Sequence, residues 1–191
     1  MGTIPVEFGS DWDALLRAWW ELDVPEGWRA EILEGGVTVS PPPGNGHNLI
    51  ADLAHRGLVR AVPVDWSVLQ TLGVSIPGVK RLYEPDLVVV PRAELVARPD
   101  QVPVPAVLAK LAVEIVSRGN ARTDRVEKLW AYAQAPVPLY LLIDRFDDEG
   151  PTVTLFSEPV DGHYRTVERV PFGDSITLPS PIDLVLDTKE F

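Results

Sequence analysis

The sequence predicts an α/β domain: a sheet of strands buried on both faces, with helices packed beside it. Three observations carry this. The runs LVVVP at 87–91, LAVEIV at 111–116 and LYLLID at 139–144 are dominated by Val, Leu and Ile, the pattern of strands covered on both sides. Between the second and third lies 121–134, ARTDRVEKLWAYAQ, whose spacing predicts a helix turning Val126, Leu129, Trp130 and Ala133 toward the sheet. Outside these runs the chain breaks into hairpin-like pairs, AEILE with VTVS and VTLFS with HYRTVERV.

Taken in order, Ser10 or Asp11 caps a first helix with acids in its opening turn. Leu15, Leu16, Trp19, Trp20 and Leu22 follow at helical spacing as its packing face, and Pro25-Glu26-Gly27 ends it. Residues 30–40 read as a hairpin turning on Gly35 and Gly36. Glu31 and Glu34, three apart on that segment, point to opposite faces. Pro41-Pro42-Pro43-Gly44 interrupts regular structure, and a helix begins near Asn45 with His47 in its first turn. Residues 64–76 form one or two strands broken at Gly73, and Pro85 forces an extended approach that sets Asp86 at the head of the 87–91 strand. Residues 91–109, with Pro91, Pro99, Pro103 and Pro105, hold a short helix near 93–97 and a surface loop. After the third apolar strand come a hairpin around 159–162, a short strand and an irregular close. The organisation is one domain over 1–191: a helix and hairpin at 10–44, a core at 45–144 and strands at 145–191.

Composition narrows the function. A chain of 191 residues with 46% apolar residues and a mean hydropathy of +0.05 has material for a sizeable core. No cysteine is present, which excludes disulfides, thiol nucleophiles and cysteine-ligated zinc. No run reaches the roughly 20 apolar residues of a membrane span, and the N-terminus lacks secretory-signal patterning, so a soluble, cytoplasmic protein is expected. The 28 acids exceed the 17 bases, for a net charge of −11, which disfavours tight non-specific duplex binding. A local basic patch of Arg118, Arg122, Arg125 and Lys128 falls within eleven residues.

Asp86 opens one buried strand, Glu114 sits inside the next, and Lys128 lies on the helix that follows. A carboxylate in a buried strand is costly unless paired. Hydrolysis of a phosphodiester needs such groups: a divalent cation polarises the phosphoryl oxygen, and hard cations take carboxylate and carbonyl oxygens. Asp86, Glu114 and the backbone carbonyl of Ile115 are the candidate metal ligands, with Lys128 facing the attacking water or the charge developing on phosphorus. Alternatively Lys128 pairs with Asp124, four residues away on the helix surface, a contact of about 0.3–0.5 kcal/mol. His47 and His55, eight apart, do not form a metal pair on one helix. Ser117 lacks a nucleophile elbow and reads as a turn hydroxyl.

EPDLVVVP at 84–91, VEIVSRGNARTDRVEKLWAYA at 113–133, PLYLLID at 138–144 and AEILEGGVTVSPPPGNGH at 30–47 together resemble the Uma-two family of restriction-endonuclease-like proteins, within the PD-(D/E)XK nuclease superfamily. The resemblance implies a restriction-endonuclease-like core, a central mixed β-sheet flanked by helices, with the two motif strands side by side. It implies metal ligation by Asp86 and Glu114, with Mg2+ or Mn2+ as cofactor and DNA as the favoured nucleic-acid partner. The lysine usual two residues after the glutamate is absent, since Val116 stands there, and its role falls to Lys128. Glu31 resembles an additional N-terminal acid, His47 a family histidine, and Asp124 is a further candidate. Arg118, Arg122 and Arg125 are the expected substrate-binding side chains. Arg118 replaces a common proline, Pro136 a glycine and Leu141 a tryptophan. A homodimer is expected from the resemblance and from the apolar C-terminal strands. Two functions follow: a metal-dependent endonuclease, or a catalytically silent nuclease-fold module that binds or regulates.

Overall fold

The computed structural model describes residues 6–7, 11–97 and 103–191. Ser10, Pro99 and most of the stretch read for a signal lie outside the described residues. The chain begins with β1 (Val6–Glu7), α1 (Trp12–Glu21), β2 (Arg29–Leu33), β3 (Gly36–Ser40) and α2 (Asn45–Ala61). It continues through β4 (Trp66–Leu69), β5 (Val74–Ile76), β6 (Arg81–Tyr83), β7 (Leu87–Pro91), α3 (Arg92–Val96), β8 (Val104–Pro105) and β9 (Leu111–Ile115). A π-helical turn (Thr123–Lys128) runs straight into α4 (Leu129–Gln134). Strands β10 (Leu139–Asp144), β11 (Thr152–Val160), β12 (His163–Pro171), β13 (Ser175–Leu178) and β14 (Leu184–Asp187) close the fold.

The central sheet has the order β12-β11-β10-β9-β7-β4. It is mixed: β9 and β10 are parallel, with Val113 opposite Leu141, while β7 lies antiparallel to β9 and to β4. A parallel pair needs a crossover, which the π turn and α4 supply. The second sheet, β1-β3-β2-β6-β5-β8, draws on the N-terminal hairpin, and β13 pairs with β14 in a third. The segment read as one or two strands at 64–76 is therefore divided between sheets, β4 in the first and β5 in the second.

Alternation explains why the central strands carry no polar face. Leu87 and Val89 join Leu111, Val113, Leu139 and Leu141 in a core completed by Ile50, Ala54 and Leu58 of α2 and by Ile176, Leu178 and Leu186 of the last hairpin. Val88 and Val90 face the other way, with Ala112, Tyr140 and Leu142, toward Ala131 and Tyr132 of α4. A third cluster packs Leu15 of α1 on Ala30, Ile32, Val37 and Leu82. Among the described residues no helix is long and apolar enough to cross a membrane.

Several local expectations shift. The first hairpin turns on Glu34 and Gly35, because Leu33 pairs with Gly36 and only Gly35 needs positive φ (74°). The C-terminal tail, expected as one strand and an irregular close, folds back as a complete hairpin with Ile176 opposite Leu186. Asp161 and Gly162, both at positive φ, make the two-residue turn that suits a twisted hairpin between β11 and β12. Of the residues expected under the 121–134 helix, Ala133 is buried but Val126 is 57% and Trp130 41% exposed. The π turn changes the pitch, so that Asp124, Lys128, Ala131 and Tyr132 face inward instead.

Candidate active site

Asp86 stands one residue before β7, where β7 and β9 part company. Their ladder ends at Leu87 opposite Val113, which leaves the Ile115 amide free to donate to Asp86 Oδ2 at 2.7 Å. The N–H and C=O of a strand residue leave on the same edge, so the Ile115 carbonyl shares that edge. Arg29 Nη1 donates to Asp86 Oδ1 at 2.5 Å, and His47 Nε2 lies 3.0 Å from Oδ2. Burial pushes the Asp86 carboxyl up, but the His47 contact, the Arg29 charge and the Ile115 amide outweigh it and bring it down to about 2.

Glu114 is the buried acid of β9, 2% exposed. Tyr132 donates its hydroxyl to Oε1 and Lys128 its ammonium to Oε2, each at 2.9 Å. Lys128 also lies 3.0 Å from Glu31 and 3.4 Å from Asp124, with Nζ 5.4 Å from the centre of the Tyr83 ring. At 3% exposure Lys128 is a buried group, and its pairing with Asp124 is one part of an internal cluster. Burial works against the Lys128 charge, yet Glu114, Glu31 and Asp124 hold its ammonium well above the usual lysine range. The acids move the other way: burial raises Glu114 well above the ordinary carboxylate range and Asp124 to about 6. One ammonium cannot neutralise three carboxylates, so the lysine stays charged and the acids compete for protons. π turns recur at functional sites, and here one carries both Asp124 and Lys128. Tyr140 steadies it by donating its hydroxyl to the Asp124 carbonyl at 2.8 Å.

Arg29, Glu31, His47, Asp86, Glu114, Asp124 and Lys128 line one cleft of about 400 Å³. Glu31, Asp86, Glu114 and Asp124 bring four carboxylates to it, against the fixed cations Arg29 and Lys128. With all ionised, and with the exposed Arg118 on the cleft counted as a third cation, the excess is one negative charge. Among the described residues no three His, Cys, Asp or Glu side chains converge as a ready-made metal cage. The reason is visible: Lys128 Nζ stands among three of the acids while Arg29 and His47 occupy Asp86. The donor chemistry, hard carboxylate and carbonyl oxygens around an uncompensated charge, fits a divalent cation once those contacts loosen.

The sequence-predicted residues Asp86, Glu114, Lys128 and Ile115 thus share one cleft, joined by Glu31, His47, Asp124 and Arg118. Two arginines do not line it. Arg125 is committed to Asp144 Oδ2 at 2.7 Å and to the Phe146 carbonyl at 2.9 Å. Arg122 is 88% exposed, with Glu127 at 4.0 Å. Sequence reasoning missed Arg29 and the hydroxyl of Tyr132. For Arg29 a signal existed: two residues before Glu31 on the same strand, it had to share that face.

A mixed sheet with an acidic cleft where its two motif strands diverge defines a restriction-endonuclease-like protein. The chain belongs to the Uma2 family, described as "Putative restriction endonuclease", whose model matches residues 14–189. The fold is similar to the crystal structure of a putative nuclease from Anabaena variabilis, with a TM-score of 0.69 and 16% identity over 90% of this chain and 94% of that one. No curated protein matches the chain.

Proposed function

We propose that this chain is a metal-dependent endonuclease hydrolysing phosphodiester bonds, with DNA as the favoured substrate. The observation that carries the reading is the excess of carboxylate over cation in a single cleft of a nuclease fold. Asp86, Glu114 and the Ile115 carbonyl would hold a magnesium or manganese ion, which when bound supplies Lewis-acid stabilisation of charge on the phosphoryl group. Lys128, buried and held charged, is the donor at hand for developing negative charge and for orienting water. Tyr132 fixes the Glu114 carboxylate through Oε1, which leaves Oε2 to exchange Lys128 for a metal. Arg29 and His47 orient Asp86, and Arg118 offers an exposed positive charge on the cleft.

The alternative, a silent nuclease-fold module, draws on one observation: Lys128 and Arg29 already bond the acids that a metal needs. Nicking of supercoiled plasmid with magnesium or manganese separates the two. Wild type should cut, chelator should stop it, and Asp86→Asn and Lys128→Ala, checked as folded by circular dichroism, should lose at least about a hundredfold. Equal cutting by all three would assign the activity to a contaminant and remove the nuclease reading's support.

A further inference from the structure

The carboxylates form one part of the cleft; Trp28, Pro41, Pro42 and Pro43 also line it, and hydrolysis gives these no task. Trp28 is 40% exposed. Its backbone is set by a turn in which the Trp28 amide donates to the Pro25 carbonyl at 3.0 Å. The indole is therefore presented immediately before Arg29 and Glu31, which run into the charged cluster. The three prolines have no N–H, so this wall offers a phosphate no backbone donor; it suits a flat apolar surface. A cation for phosphate comes from elsewhere: Arg118, exposed on the cleft, stacks its guanidinium over the Phe146 ring at 4.5 Å.

Phosphate charge and a flat π face are the two halves of a nucleotide. In continuous duplex the base faces are covered by their neighbours, and an aromatic side chain reaches one only when the nucleotide is unpaired or swung out. A cleft of about 400 Å³ matches a unit of small-ligand size. The net charge of −11 argues against the long phosphate footprint on which duplex binding depends. We propose that Trp28 with the 41–43 proline wall is a base-stacking subsite, and that the substrate presents an unpaired nucleotide beside the scissile phosphate. This inference rests on the nucleic-acid reading of the carboxylate site.

The test is fluorescence anisotropy of the full chain with a labelled short single strand and a blunt duplex of the same sequence, calcium replacing magnesium to prevent cutting. Wild type and Trp20→Ala, which alters a tryptophan outside the cleft lining, should bind the single strand at least about tenfold more tightly than the duplex. Trp28→Ala should lose roughly ten- to hundredfold on the single strand alone, and Trp28→Phe should recover most of it. Equal wild-type affinity for both forms, an equal loss on both in Trp28→Ala, or a Trp28→Phe as weak as the alanine variant would overturn the subsite. So would a change of oligomeric state in Trp28→Ala on gel filtration, which would assign the indole to a second copy of the chain. Duplex binding at full strength with nicking intact removes the subsite alone; binding to neither form removes the nucleic-acid reading with it.

Discussion

Lys128 has its single charge within 3.4 Å of three buried carboxylates, Glu31, Glu114 and Asp124. In such surroundings an uncompensated anion binds a proton before it stays charged. Asp124, raised by burial from 3.8 to about 6, is the group to watch. Its folded form holds a proton that the unfolded chain releases, so its contribution to stability is full below about pH 4 and lost as pH rises through 6. In chelator, wild-type stability measured by urea unfolding should fall through this window by on the order of 1–3 kcal/mol from this group. Asp124→Asn should flatten that part of the curve; a parallel curve would show that Asp124 does not hold the proton. Asp86, Glu114 and Lys128 were legible because acids inside Val- and Ile-rich strands and a lysine at the right distance stand out in a sequence. Arg29 was less legible, since its bond to Asp86 spans 57 residues and depends on how two sheets meet.

At the scale of elements, the π turn decides which side chains enter the site. Asp124, Lys128 and Tyr132, four apart, share one buried face, because a spacing of four stays nearly in line in either helix type. Of the apolar residues expected toward the sheet, Ala133 is buried, but Val126 and Trp130 are exposed. No residue type marks a π turn, which here rests on tertiary contacts, the Tyr140 hydroxyl on the Asp124 carbonyl among them. Tyr140→Phe should cost about 1–2 kcal/mol in urea unfolding by leaving that buried carbonyl without its donor, and should weaken nicking beyond what the stability loss explains. An unchanged midpoint would mean that the turn holds without the bond. The long strands were plain from composition, whereas β6, β8 and the last hairpin were not. Strands of two to four residues carry too little pattern to separate from loop.

Across the whole molecule, the central sheet gives the parallel pair β9 and β10 and the diverging β7, the hairpin of β2 and β3 brings Arg29 and Glu31, and the first turn of α2 brings His47. Elements far apart in the chain thus concentrate acid in one cleft of an already acidic protein. The most direct measurement is calorimetric titration of manganese into wild type, Asp86→Asn and Glu114→Gln. The metal-site reading predicts a single site in wild type and an affinity lower by at least about tenfold in each variant. Equal affinities in all three, or none in wild type, would contradict it.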